Sequence, residues 1–325
     1  MKVLVLGSTG YIGRNLLEAL KAVPWAEPTG ASRHRNKSTH EGIDWLEVDT
    51  CNAADLASAM TGFDAVVNCV AGDRRTIADG ALNLSVAATA AGCQRIVHMS
   101  TMSVYGSAEG EVTEEFSLAN YVGWYGQAKR EAEIHMTEFA KNGGEVVIFR
   151  PGCVFGRGSE QWVGRTARWL NSGRIGDLGA AGDGWSNLVH VDDVCQAIVA
   201  ALQMDIAPHS NMTFNLAAAD SPRWNKYFAE LAVAIGAIPL RRINARQLRM
   251  DATFAGPCLK IAEKLIKSAG ISTRNLPDPM SRGILSLWAQ QIHLDATLAS
   301  RTLKLVWTPY SKALLDCSNW ISGRK

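Results

Sequence analysis

Residues 3–13, Val-Leu-Val-Leu-Gly-Ser-Thr-Gly-Tyr-Ile-Gly, set a short aliphatic run directly before three glycines spaced three apart. Such a run reads as a strand buried on both faces, the centre of a parallel sheet. Gly7, Gly10 and Gly13 then permit a tight turn, a close approach of backbone to ligand, and tight packing of the next helix. A pyrophosphate would sit on the unpaired amides at that helix's N-terminus. Thr9, Tyr11 and Ile12 fall within the same dinucleotide-binding turn. With the strand starting at Lys2, no cleavable signal segment is expected.

Strand and helix signals alternate after this start. Strands are expected at 29–32, 45–48, 65–70, 95–100, 146–150 and 212–216, and helices at 11–22, 55–60, 78–91 and 122–139. That alternation predicts an α/β fold, a Rossmann-like doubly wound parallel sheet. Residues 223–292 are mainly helical and basic, without alternation, which predicts a smaller, mainly helical C-terminal substrate domain. The expected division is 1–170 for the nucleotide domain and 171–325 for the substrate lobe, with 187–220 returning to the first.

Composition excludes several classes of function. A formal net charge of +2 over 325 residues gives no strong field, and the cluster Arg33, His34, Arg35, Lys37 is too small for nucleic acid. No apolar run approaches membrane-spanning length, so no membrane partner is expected. The seven cysteines are scattered singly, without the spacing of a metal site, as small buried hydrophobes in a reducing cytoplasm would be. The tryptophans at 162, 169, 185, 224 and 288 are expected mostly in a core, with one or two free to line an apolar pocket.

Tyr125 and Lys129 lie four apart on an expected helix and therefore share a face. An ammonium beside a phenol would lower the phenol's pKa, and such a tyrosine can exchange a proton with a secondary alcohol or carbonyl. The pair follows a strand ending His98-Met99-Ser100-Thr101, whose hydroxyls would emerge at the carboxyl edge where open sheets bind ligands. The plainer alternative packs Tyr125 in the core, turns Lys129 to solvent and leaves Thr101 capping a turn.

These features together resemble the extended short-chain dehydrogenases/reductases that include the NAD-dependent epimerase/dehydratase proteins. The matching residues are Gly7 to Gly13, Asp49, Asn68 to Gly72, Ser100 to Gly106, Tyr125-Gly-Gln-Ala-Lys129, Arg150 to Gly156, Gly182-Asp183-Gly184, Val189 to Val194, and Asp295 with Leu305 to Pro309. The resemblance implies Tyr125 as acid/base, Lys129 on the nicotinamide ribose, and Thr101, with Ser100 beside it, on the reacting oxygen. It implies Asp49 near the adenine edge, Ala71 along the cofactor, and Pro151 to Val154 near the nicotinamide amide. It also implies a small-molecule substrate and a homodimer formed through the helix of Tyr125.

An NAD-preferring site usually carries an acidic residue at the end of the second strand. Ser32 and Arg33 stand there instead, and Glu27 precedes the expected strand. Arg33 would pair with a 2′-phosphate and Ser32 would donate to it, which favours NADP while leaving NAD open. Met102 and Ser103 replace the Asp-Glu pair that sugar-nucleotide 4,6-dehydratases use after the threonine, so that chemistry is not expected. The run Trp185 to Leu188 lacks the arginine that epimerases usually carry after the Gly-Asp-Gly turn, a gap Arg74, Arg157, Arg165 or Arg168 could fill. The primary expectation is thus an NAD(P)-dependent oxidoreductase acting on a fairly apolar secondary alcohol or carbonyl. The alternatives are a sugar-nucleotide epimerase or reductase and, third, a cofactor-binding regulator without turnover.

Overall fold

The computed structural model describes residues 1–34, 42–118, 122–268 and 277–323. Arg35 and Lys37 of the basic cluster lie outside them. The chain divides into two compact units: 1–152 with 189–219 and 294–307, and 153–188 with 220–293 and 308–325. The first crossing thus comes after Gly152 rather than at 170, and a third segment returns near the C-terminus.

Seven strands form the sheet of the first unit, in the order Ser210–Leu216, Glu145–Pro151, Arg95–Met99, Ala65–Asn68, Lys2–Leu6, Glu27–Ser32, Asp44–Glu47. All pairings are parallel. The first strand is interior, beside the middle strand Ala65–Asn68, and the strand order reverses between the two, the switch point at which doubly wound sheets bind ligands. The expected Rossmann-like architecture is therefore present. One face buries a continuous apolar cluster running from Leu4 and Leu6 through Val66, Ile96 and Ile148 to Ala81 and Leu84 of the Arg74–Ala91 helix. Ala128, Ala132 and Met136 of the Trp124–Lys141 helix complete it.

Two boundaries differ from the sequence reading for local reasons. The Arg74–Ala91 helix starts four residues earlier than expected because Asp73 caps it, accepting a hydrogen bond from the Thr76 amide at 2.8 Å. The second strand begins at Glu27 and contains Pro28, residues read as a loop. Amides of alternate residues face opposite neighbours in a strand, and Glu27 donates to Met1 O on the side of the first strand. The missing amide of Pro28 therefore faces the edge strand, whose pairing starts only at Thr29↔Asp44, so no ladder bond is lost.

The second unit is mainly helical around an aromatic core. Trp169, Trp224 and Trp288 are fully buried, joined by Tyr227 and Phe228. The Trp169–Trp288 and Phe228–Trp288 pairs meet edge to face at 5.7 and 5.3 Å.

Candidate active site

Gly7 stands in the left-handed region at φ 73°, where a Cβ would come within 2.9 Å of the Cys69 carbonyl group. A Cβ on Gly13 would come within 2.5 Å of Gly7 O, so only glycine lets the helix Tyr11–Lys21 close onto the turn. Ser8 fixes the turn laterally, its buried hydroxyl donating to Ala31 O at 2.9 Å. Neither a capping side chain nor an acidic residue occupies the helix's first turn, so its positive dipole end suits an anion.

A cleft of about 240 Å³ opens beside this turn. Gly7, Thr9 and Gly10 line one side, and Ser32, Arg33 and His34 the end of the second strand. Ala71 lines the switch-point side together with Cys69 and Val70 of the same matched stretch and with Thr76. Tyr11, Ile12 and Gly13 form the helix turn behind this lining. Asp49 does not reach the cleft lining; its carboxylate accepts from the Cys51 amide at 3.0 Å, and its neighbours Val48 and Thr50 line the wall instead. Pro151 ends its strand in the first unit, whereas Val154 belongs to the second. The glycine cradle, the uncapped helix and the basic rim at Arg33 fit the diphosphate and ribose of a dinucleotide.

Lys129 is buried, with its ammonium spanning the carboxyl ends of two strands. Nζ donates to Met99 O at 2.6 Å and Val70 O at 3.2 Å, which leaves one of its three donors for a ligand. Burial lowers its pKa to about 8. Beneath it, Asn68 accepts from the Val70 amide and donates Nδ2 to His98 Nδ1 at 3.2 Å. The pairing leaves the ring proton on His98 Nε2, and burial together with Lys129 holds this imidazole neutral.

Tyr125 departs from expectation. Its ring packs half-buried against the apolar cluster and edge to face with Trp124 at 5.7 Å. Burial raises its phenol above the ordinary value of 10.0, instead of Lys129 lowering it. Burial is the cause, while the Lys129 charge acts on Cys69 and His98. Thr101 is buried at the carboxyl end of its strand, where Oγ1 accepts from the Ser103 amide at 3.2 Å and meets Ser103 Oγ at 3.3 Å.

Ser100 turns away from this group. Its hydroxyl donates to Glu133 Oε1 at 2.5 Å, one turn after Lys129 on the same helix. Arg150 grips Glu133 through Nε at 3.0 Å and Nη2 at 2.7 Å, and donates Nη1 to the Tyr105 hydroxyl at 3.0 Å. Tyr105 donates to Asn215 Oδ1 at 2.7 Å, and Asn215 Nδ2 to Val112 O at 3.0 Å. This buried network ties the Tyr125 helix to three strand ends.

In the second unit, the turn without an arginine in sequence has one in space: Arg223 lies 4.5 Å over the Trp185 ring, which also stacks on His293 at 4.1 Å. Of the sequence candidates for that cation, Arg168 is paired with Asp278 and Glu160, Arg74 with Glu131, and Arg165 lies over Trp169. Arg157 donates its backbone amide to Asp316.

The sequence model of the NAD dependent epimerase/dehydratase family matches residues 3–217, the glycine turn and both strand ends of the cleft included. The chain belongs to this family. An uncharacterized protein of Mycobacterium tuberculosis is 30% identical over 251 residues, 75% of this chain and 25% of that protein. The chain thus spans about a quarter of that relative's length. The UDP-glucose 4-epimerase of Vibrio cholerae is 27% identical over 258 residues, 72% of this chain and 75% of that enzyme. Among solved structures, UDP-glucose 4-epimerase from Thermotoga maritima with UDP-glucose shares the fold at TM-score 0.77 and 16% identity, over 100% of this chain and 99% of that one. UDP-glucuronic acid 4-epimerase from Bacillus cereus, in complex with UDP-glucuronic acid and NAD, does so at TM-score 0.74 and 18% identity, over 100% of both chains. This family member therefore has the epimerase fold throughout.

Proposed function

We propose that this epimerase/dehydratase family member binds NADP, with NAD as the weaker alternative, and epimerises a secondary carbinol of a sugar nucleotide. The observation that carries the reading is the glycine cradle at the switch point, with the Lys129 ammonium held at the same sheet edge. The match to the family and the likeness to the Vibrio epimerase support the substrate class. A bound nicotinamide supplies reversible hydride transfer. Tyr125 exchanges the hydroxyl proton of the substrate, Thr101 Oγ1 orients that oxygen, and the remaining N–H of Lys129 holds the ribose. Ser100, engaged with Glu133, positions the helix and is removed from the catalytic set. Net oxidation or reduction of a more apolar alcohol is the second reading, favoured by the turn at Trp185 that lacks its own arginine. Incubation with UDP-sugars and catalytic cofactor separates them. Epimer without lasting absorbance change at 340 nm supports the first, and stoichiometric cofactor turnover on a simple alcohol supports the second. No conversion of either substrate class contradicts both.

The NADP preference rests on the charge at the end of the second strand. Glu27 pairs with Lys2 at the opposite end, five residues or roughly 17 Å from Ser32, too far to accept ribose hydroxyls at the cleft. Ser32 and the exposed Arg33 stand at the cleft instead; the Ser32 hydroxyl donates to His34 O at 2.8 Å rather than being held for a phosphate, so Arg33 carries the proposed 2′-phosphate contact. Replacing Arg33 with alanine should weaken NADPH binding about 10- to 100-fold and NADH binding much less, the range for losing a charge-assisted bond. Fluorescence titration of both nucleotides checks this, and equal loss for both would refute the 2′-phosphate role. The proposed homodimer uses the helices Arg74–Ala91 and Trp124–Lys141, whose Leu82, Val86 and Ile134 are exposed; sedimentation velocity reads its mass.

A further inference from the structure

Residues 245–268 form one helical run, Ala245–Met250, a π turn at Asp251–Ala255, and Gly256–Ser268. One side of it is anchored. Leu248 and Ala252 are buried, and a Cβ on the buried Gly256 would come within 1.9 Å of Met280 O. The other side presents Met250, Phe254, Ile261 and Leu265, each more than 60% exposed. Their spacing of four, seven and four residues keeps them on one face of a helix. Large apolar side chains this exposed, in a row, mark a surface that meets another phase or partner.

The charges beside this stripe have one sign. Arg241, Arg242, Arg246, Arg249, Lys260 and Lys264 are all exposed. The two carboxylates of residues 241–265 are Asp251, held by Arg174 in a two-bond ion pair, and the half-buried Glu263. Six cations against two carboxylates give this stretch a formal charge of +4 in a chain whose total is +2. The rest of the chain is therefore slightly acidic, and the cations are concentrated where the apolar row lies. No helix among the described residues is long and apolar enough to cross a membrane.

We propose that this helical run lies in the interface of an anionic lipid surface, with Phe254, Ile261 and Leu265 in the acyl boundary and the flanking cations on lipid phosphates. Amphipathic helices with this division of apolar row and lysine or arginine flanks bind bilayers in plane. Charge complementarity selects anionic lipid over an apolar protein groove, which would match the row but offer nothing to the cations; of the six, Arg242 is already paired with Asp177. The proposal is independent of the reaction assigned above, and it departs from the expectation of no membrane partner drawn from the absence of a spanning segment.

The test is co-sedimentation of the full chain with vesicles of phosphatidylcholine alone and with roughly one-third phosphatidylglycerol, which gives the surface a negative potential. Binding should require phosphatidylglycerol and weaken as salt rises. I261E/L265E should lower the bound fraction about tenfold or more, and K260E/K264E should remove the preference for anionic lipid. Unchanged circular dichroism and urea midpoints in both variants establish that they fold. Failure of the wild-type chain to sediment with anionic vesicles overturns the proposal. So does self-association of the wild type that I261E/L265E abolishes, which would make a second copy the occupant of this face.

Discussion

Replacing Arg150 with methionine should destabilise the first unit by about 3–5 kcal/mol, the cost of leaving one charge of a buried pair alone. Arg150 and Glu133 are each under 10% exposed at the side chain, so water cannot replace the lost partner. The Glu133 carboxylate would keep the Ser100 hydroxyl and the more distant charges of Lys129 and Arg130, and Tyr105 would lose the donor that orients it toward Asn215. Against a typical total stability of about 5–15 kcal/mol, such a loss is a large fraction. Glu133→Gln should cost less, since its amide can still meet Ser100. The double variant E133Q/R150M should recover much of the single loss, because no unpaired charge remains. Urea unfolding of the four chains measures this. Single losses under about 1 kcal/mol would mean that the network is not a structural tie of the Tyr125 helix.

Tyr125→Phe should lower turnover by about 10²- to 10⁴-fold with little change in cofactor affinity, the effect of removing a general acid/base. The variant retains the ring that packs against the apolar cluster, so the fold should be preserved. A cofactor-binding regulator would instead keep its function in this variant. The pH dependence has a sign of its own. Lys129 titrates at about 8 in the folded chain, below about 10.4 for a free lysine, whereas burial raises Tyr125. On raising the pH, the ammonium is thus lost before the phenol, and activity should fall above about pH 8. Over the same window the unfolded chain binds more protons than the folded one, so this group alone makes stability rise with pH between about 8 and 10.4. Lys129→Met should abolish both trends, measured as a kcat/KM profile and as urea midpoints at pH 7.5 and 9.5.

Local pattern carried the architecture. The glycine spacing at 7, 10 and 13, the alternation of strand and helix, and the position of Tyr125 and Lys129 after the Ser100-Thr101 strand were all legible from short windows. What sequence could not give was the partnership of polar groups. Ser100 meets Glu133 33 residues away, and Tyr105 meets Asn215 110 residues away, contacts fixed only once the sheet has assembled. Ser100 therefore looked like a second reacting hydroxyl when its acceptor was out of view. The phenol of Tyr125 is a related case: spacing puts Lys129 on the right face, but only the assembled fold buries the ring against the apolar cluster, and that burial raises its pKa. Arg223 over Trp185 is a third case, a cation placed by the fold beside a turn that has none in sequence.

The most direct test of the proposed chemistry is a crystal structure of the chain with NADP bound. Tyr125 Oη and Thr101 Oγ1 should both lie within hydrogen-bond reach of one position facing the reactive carbon of the nicotinamide, with Lys129 Nζ on its ribose. A phenol still turned into the apolar cluster, away from the nicotinamide, would leave the substrate proton without a carrier and contradict the assignment of Tyr125.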